Sequence, residues 1–201
     1  MPTLRGQEPA RVAYRYLSVV YDAVRPLFVG TAATRDRYFQ RLDLDADDRV
    51  LDVGCGTGVS TRRLAADARD VHGVDLSRPQ LRRANARVDA SLALGDATRL
   101  PYRDDAFDAV VSIGTLPYVP EPATLLEEAR RVAAPGARLL AVGPKRPAPG
   151  LKRRLADAAM TTLEPADVRA TADAAGWRDV DCEPVHMDWL ARDALVVTAR
   201  A

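Results

Sequence analysis

VLDVGCGTGVS, residues 50–60, places three glycines within five positions behind a short apolar run whose third residue is an acid. Glycine weakens the interior of a strand or helix, so such a cluster marks backbone that something approaches closely. Val50, Leu51 and Val53 read as a buried strand, and GVSTRRLAADA beyond the loop reads as a helix. A turn from strand to helix of this kind exposes backbone N–H groups beside the positive end of the helix.

The same alternation continues outward. DVHGVD is a strand and SRPQLRRANARV a helix, with Ser77 and Gln80 at capping-box spacing and Pro79 in the first turn. ASLALGDA and FDAVVSIG are strands. EPATLLEEARRVAAPG is a helix expected to close at Pro135-Gly136, and ARLLAVG is a fifth strand. This rhythm predicts an α/β fold, an open doubly wound sheet that is mostly parallel, with helices on both faces. TLEPADVRATADAAG is a further helix. WRDVDCEPVHM and DALVVTARA then read as two strands whose connection is too short for a crossover helix, so they should be antiparallel. The expectation is a seven-stranded sheet with an antiparallel last strand. Upstream, residues 9–42 read as helix, with Val12, Tyr16, Val19, Val20 and Val24 close to helical spacing. The chain therefore divides into a helical segment, 1–46, and one compact unit, 47–201.

The composition, 47% hydrophobic and 28% charged, is that of an ordinary globular protein. No apolar run approaches the ~18 residues of a membrane span. MPTLRGQEPARV lacks the pattern of a secretory signal, so a cytoplasmic location is expected. Two cysteines, Cys55 and Cys182, make no disulfide framework and build no zinc site alone. A net charge of +1 argues against nucleic acid as partner. The basic residues are 27 Arg to 2 Lys, and the acids 22 Asp to 6 Glu, a skew read as GC-rich codon bias, with an Arg-rich surface for anionic ligands as the alternative. A weak basic cluster stands at KRPAPGLKRR, residues 145–154.

Doubly wound sheets bind ligands outside the carboxyl ends of their strands. At the first such end a triphosphate loop is excluded, because G-x-x-x-x-G-K-[ST] needs a lysine that is absent. A dinucleotide loop wants G-x-G-x-x-G, whereas Gly54, Gly56 and Gly58 give G-x-G-x-G and Val59 takes the last glycine's place. A third class of ligand needs close backbone approach without a pyrophosphate. Asp52 favours that class, since a carboxylate repels pyrophosphate but can hold an ammonium group or order a water. Asp75 ends the second strand, seventeen residues after Gly58. A carboxylate there can accept two hydroxyls in a bidentate, charge-assisted contact. Dinucleotide folds place an acid similarly.

VLDVGCGTG resembles motif I of the class I S-adenosylmethionine-dependent methyltransferases. Asp75 in GVDLS, Asp96 in GDATRLPYRDDAFD, and the run from SIGTLPYVPEP to LLAVGP follow the same family's pattern, most closely over 48–144. The subgroup resembled is the type 11 methyltransferases, including quinone C-methyltransferase-like proteins. The resemblance implies the Rossmann-like methyltransferase fold, S-adenosylmethionine as cofactor, a small-molecule methyl acceptor, and a substrate-selecting lid in 1–46, where Tyr21-Asp22 matches a family pair. It implies that the loop, Gly54, Cys55, Gly56 and Gly58, faces the amino-acid end of the cofactor with Asp52 turned to its ammonium. Asp75 and Leu76 would meet the ribose. Asp96 would accept from the adenine amino group, the Ala97 N–H would meet a ring nitrogen, and Ser112 would complete the site. Cys55 offers a small side chain rather than thiol chemistry.

No catalytic base is named by this pattern. Where many relatives carry HH, this chain has Leu116-Pro117-Tyr118, and neither the amino-methylating [DN]-P-P-[YFW] signature nor an acidic metal triad is present, so no metal is expected. His186 stands late in the sixth strand, and His72 is placed as structural. Tyr21 and Tyr118 are candidates to line the acceptor pocket.

Overall fold

The computed structural model describes residues 32–145, 163–187 and 192–201. The helix expected over 9–42 is described from its last part, α1 (Ala32–Phe39) with a 3-10 turn (Gln40–Leu42). Tyr21, Asp22 and nearly all of the basic cluster 145–154 lie outside the described residues. There follow β1 (Arg49–Val53), α2 (Val59–Leu64), β2 (Asp70–Asp75), α3 (Arg78–Asn85), β3 (Ser91–Leu94) and β4 (Phe107–Ile113). A second 3-10 turn (Leu116–Tyr118) leads to α4 (Pro122–Val132), β5 (Ala133–Pro144), α5 (Pro165–Ala174), β6 (Arg178–Met187) and β7 (Arg192–Arg200).

The seven strands form one sheet in the order β3-β2-β1-β4-β5-β7-β6. β1 to β5 pair in parallel, and β7 runs antiparallel to both of its neighbours. The last strand is thus inserted between β5 and β6 rather than added at the edge. The period-2 alternation divides the strands between two cores. Val50, Val71, Ala109, Val111 and Leu140 face Tyr38, Phe39, Leu42 and Leu64. Leu51, Val53, Val74, Val110 and Leu139 face Leu125, Leu126, Ala129, Ala172 and Trp177. Burial of apolar area on both faces is what holds such a sheet. Trp177 is 2% exposed, and its indole N–H donates to the Leu126 carbonyl at 2.9 Å.

Two expectations are corrected. The helix expected to reach Pro135-Gly136 ends at Val132, because the Arg131 and Val132 carbonyls accept the Asp105 and Ala106 N–H groups at 3.1 and 2.8 Å. Those bonds from another segment satisfy the helix end, and Ala133 turns extended into β5. Ser77 is the N-cap of α3, but its side chain makes no capping bond. Its own N–H is taken instead by Asp75 Oδ1 at 2.8 Å.

Candidate functional site

Strand order reverses between β1 and β4, which opens a crevice at their carboxyl ends. The glycine loop lies there. The Gly54 and Cys55 N–H groups both donate to the Val74 carbonyl, at 2.8 and 3.1 Å, which ties the loop to the end of β2. Gly54 has φ +75°, and a Cβ on it would meet Thr115 Oγ1 at 1.9 Å. Thr115 stands in that space because its hydroxyl donates to the Val53 carbonyl at 3.1 Å, across the switch point. Gly56, at φ +54°, has no atom closer than 4.0 Å to its Cβ position, so its bare backbone borders open space.

Asp75, at the end of β2, faces the loop. Its Oδ2 accepts the Gly56 N–H at 2.9 Å and its Oδ1 accepts that of Ser77. Burial raises its pKa above the usual carboxylate range, against the lowering effect of those two bonds. Each oxygen retains a second lone pair for a hydroxyl donor. Leu76 follows with 47% of its surface exposed, an apolar side chain left open at the rim. Asp96 is exposed in a tight turn where its Oδ1 accepts both the N–H and the hydroxyl of Thr98, at 2.9 and 2.8 Å. Ala97 is half-buried in the same turn.

Asp52 sits beneath the loop, 1% exposed, and accepts the Thr61 hydroxyl of α2 at 2.7 Å. Cys55 turns inward. Its thiol would lie 3.0 Å from a Cβ at Gly73, and burial, reinforced by the charges of Asp52 and Asp75, pushes its pKa well up. It is packing, not a nucleophile. Ser112 is fully buried and its hydroxyl has no hydrogen-bond partner among the described residues. Arg87, just beyond α3, donates to the Thr57 carbonyl and hydroxyl at 3.0 and 2.7 Å, a clamp on the loop. Thr115, Thr61 and Arg87 were not legible as site residues, since no spacing in the sequence pairs them with the loop.

The remaining candidates stand apart. His72 bonds Asp70 Oδ1 at 2.9 Å and packs edge-on against Tyr102 and Phe107. His186 is exposed on β6, 3.2 Å from Asp193 Oδ1. Strands spaced ~4.8 Å apart put β6 roughly 19 Å from β1. Tyr118 is 39% exposed at the end of the 3-10 turn that follows β4. Among the described residues, no cluster of three His, Cys, Asp or Glu side chains is placed to hold a metal. No described helix is long and apolar enough to cross a membrane.

Two carboxylates on adjacent strands, a bare loop and an apolar rim suit a ligand that carries hydroxyl or cationic donors beside an apolar part. Residues 51–141 match the methyltransferase-domain family designated type 11. Residues 51–141 are a methyltransferase domain of the type 11 family. It is 34% identical over 182 residues to 2-methyl-6-phytyl-1,4-hydroquinone methyltransferase 2 of Oryza sativa, covering 88% of this chain and 52% of that protein. It is 40% identical over 111 residues to the demethylmenaquinone methyltransferase of Beutenbergia cavernae, covering 52% of this chain and 46% of that protein. The chain therefore spans about half the length of the curated relatives it matches. The methyltransferase fold is shared with Haemonchus contortus phosphoethanolamine N-methyltransferase 2, solved in complex with S-adenosyl-L-methionine. That likeness has a TM-score of 0.74 at 18% identity, over 84% of this chain and 52% of that one.

Proposed function

We propose that this protein transfers a methyl group from S-adenosylmethionine to a small, electron-rich acceptor of the hydroquinone or phenol class. The observation that carries the reading is the Asp75 carboxylate, held at the switch point by the Gly56 N–H and facing the bare loop. The relatives named for hydroquinone and demethylmenaquinone methylation support the acceptor class.

Asp75 accepts the ribose hydroxyls, with Leu76 packed beside them. Asp96 accepts the adenine amino group through the oxygen that Thr98 does not use, and the Ala97 N–H meets the ring. Gly54, Cys55, Gly56 and Gly58 present backbone to the amino-acid end. Asp52 supplies negative charge beneath that end, and Ser112 closes the floor. The cofactor, when bound, supplies a sulfonium-activated methyl group. The chain's own work is to align the acceptor with that methyl and to exclude water. Segment 1–46 acts as the lid that selects the acceptor, and Tyr118 lines the pocket. Neither of the chain's two histidines stands at the crevice, so the proton of a phenolic acceptor does not leave through a histidine base. The two free thiols suit a reducing compartment, which favours the cytoplasm.

The same lack of a histidine base at the crevice favours one other reading, a module that binds the cofactor or its product without chemistry. Calorimetry with S-adenosylhomocysteine and with NAD, followed by methyl-release assays over a hydroquinone and phenol panel, separates the possibilities. Binding of the homocysteine nucleoside with turnover of an acceptor supports the proposal. Binding without turnover of any acceptor favours the module, and binding of NAD alone overturns both.

A further inference from the structure

Two motifs far apart in the sequence meet at one side chain. LPYRDDA, residues 100–106, follows the turn that carries Asp96 and Ala97, and Arg131 lies in the last turn of α4. The Arg131 guanidinium has five N–H donors. Its Nε donates to Glu128 Oε1 at 2.7 Å. Nη1 donates to the Tyr102 carbonyl at 2.9 Å and to Asp104 Oδ1 at 2.7 Å. Nη2 donates to the Leu100 carbonyl at 3.1 Å and to Glu128 Oε2 at 2.8 Å. Five bonds occupy the five donors. Glu128 Oε2 also accepts the Leu100 N–H at 2.7 Å, so Leu100 is held at both its amide and its carbonyl.

The loop answers with its own backbone. Asp105 and Ala106 donate to the Arg131 and Val132 carbonyls. Leu100 is 4% exposed and packs into the core beneath. Upstream, the Gly95 N–H on the Asp75 carbonyl at 3.1 Å ties the near side of the Asp96 turn to β2. Within the turn the bonds are local: the Arg99 N–H on the Asp96 carbonyl at 3.0 Å and the two Thr98 contacts. Whatever holds Leu100 therefore sets where the far side of the turn stands. We infer that Arg131, oriented by Glu128, is a positioning residue for the nucleoside end of the cofactor, bracing the 95–106 loop so that Asp96 and Ala97 are preset before binding. This rests on the cofactor reading above. A lysine is no substitute, because three donors on a flexible stem cannot replace a planar fork of five. The loss should appear in affinity for the nucleoside part and not in the amino-acid part.

The test compares wild type, Arg131→Lys and Glu128→Gln by calorimetry with S-adenosylhomocysteine and with 5′-methylthioadenosine, which lacks the amino-acid end. Glu128→Gln is the milder change, since a carboxamide oxygen still accepts the Leu100 N–H. Arg131→Lys should lose about tenfold in affinity for both ligands, to the same degree for each, as expected when charge-assisted bonds of a pre-set loop are broken, and Glu128→Gln should lose less, again equally for both. Amide hydrogen exchange should accelerate over 95–106 in the unliganded variants and return towards wild type at saturating ligand. Wild-type affinity for 5′-methylthioadenosine in either folded variant overturns the brace, as does a lowered melting temperature with unchanged affinity. A wild-type protein that binds neither ligand overturns the cofactor reading itself, and the brace with it.

Discussion

Gly54→Ala isolates the tightest steric relation at the crevice. Two penalties add at this position. The φ of +75° lies in the left-handed region, where a non-glycine residue loses about 1–2 kcal/mol. The new methyl would stand 1.9 Å from Thr115 Oγ1, 2.7 Å from its Cγ2 and 2.8 Å from its Cβ. Overpacking of this kind costs about 1–3 kcal/mol after the neighbours shift. The expected total is roughly 3 kcal/mol, a large share of the ~5–15 kcal/mol that holds a domain folded. Thr115→Gly removes all three contacting atoms, and also the hydroxyl bond to the Val53 carbonyl. Alone it should destabilise by about 1–2 kcal/mol. In the double variant the steric penalty is relieved while the backbone penalty at position 54 and the loss at position 115 remain, so its loss should fall short of the sum of the two single losses by about 1–3 kcal/mol. Urea unfolding of the four proteins, followed by circular dichroism, measures the cycle. Additivity within about 0.5 kcal/mol would refute the claim that Thr115 is why position 54 is glycine.

Asp75→Ala should weaken S-adenosylhomocysteine about 100-fold or more, since two hydrogen bonds to a charged acceptor are lost; unchanged affinity in calorimetry removes the ribose assignment. The pH dependence of the wild type has two opposite signs. Burial raises the Asp75 pKa in the folded, unliganded protein, so that state keeps a proton the unfolded chain has released. Its contribution to unliganded stability therefore declines as pH rises from about 3.9, the unfolded value, through the folded value. Ligand affinity instead rises with pH across that window and levels off above it, because the ionised carboxylate is the acceptor; affinity that falls with rising pH there contradicts this. Cys55→Ala should leave ligand affinity unchanged while destabilising the fold by about 1 kcal/mol through lost packing on Gly73. A large loss of affinity without loss of stability would show that the thiol faces the ligand.

Strand and helix alternation was legible because apolar runs of four to seven residues, such as FDAVVSI, alternate with stretches of helical period. The place of the loop was legible from Gly54, Gly56 and Gly58 read together with Asp52, Asp75 and Asp96. Pairing order was not, since the period of β7 says which residues are buried but not which neighbour it joins. The end of α4 was misjudged for a related reason. Pro135-Gly136 is a good local stop, but the bonds from Asp105 and Ala106 act first, and they come from a segment on the far side of β4 and α4 in the chain. Asp52 was visible as an acid in a strand, yet its partner Thr61 lies on the next helix, where only the three-dimensional packing brings the two together.

The insertion of β7 between β5 and β6 has a consequence for how the chain is made. During synthesis β6 emerges before β7, the strand it pairs with, and β5 waits with residues 138–144 unpaired on one side. Until β7 is complete the nascent sheet carries a raw edge beside some of its most apolar residues, Leu139, Leu140, Ala141 and Val142. Open edges of this kind recruit other chains. A ribosome stalled before residue 192 would therefore release a sheet that lacks its interior, not merely its margin.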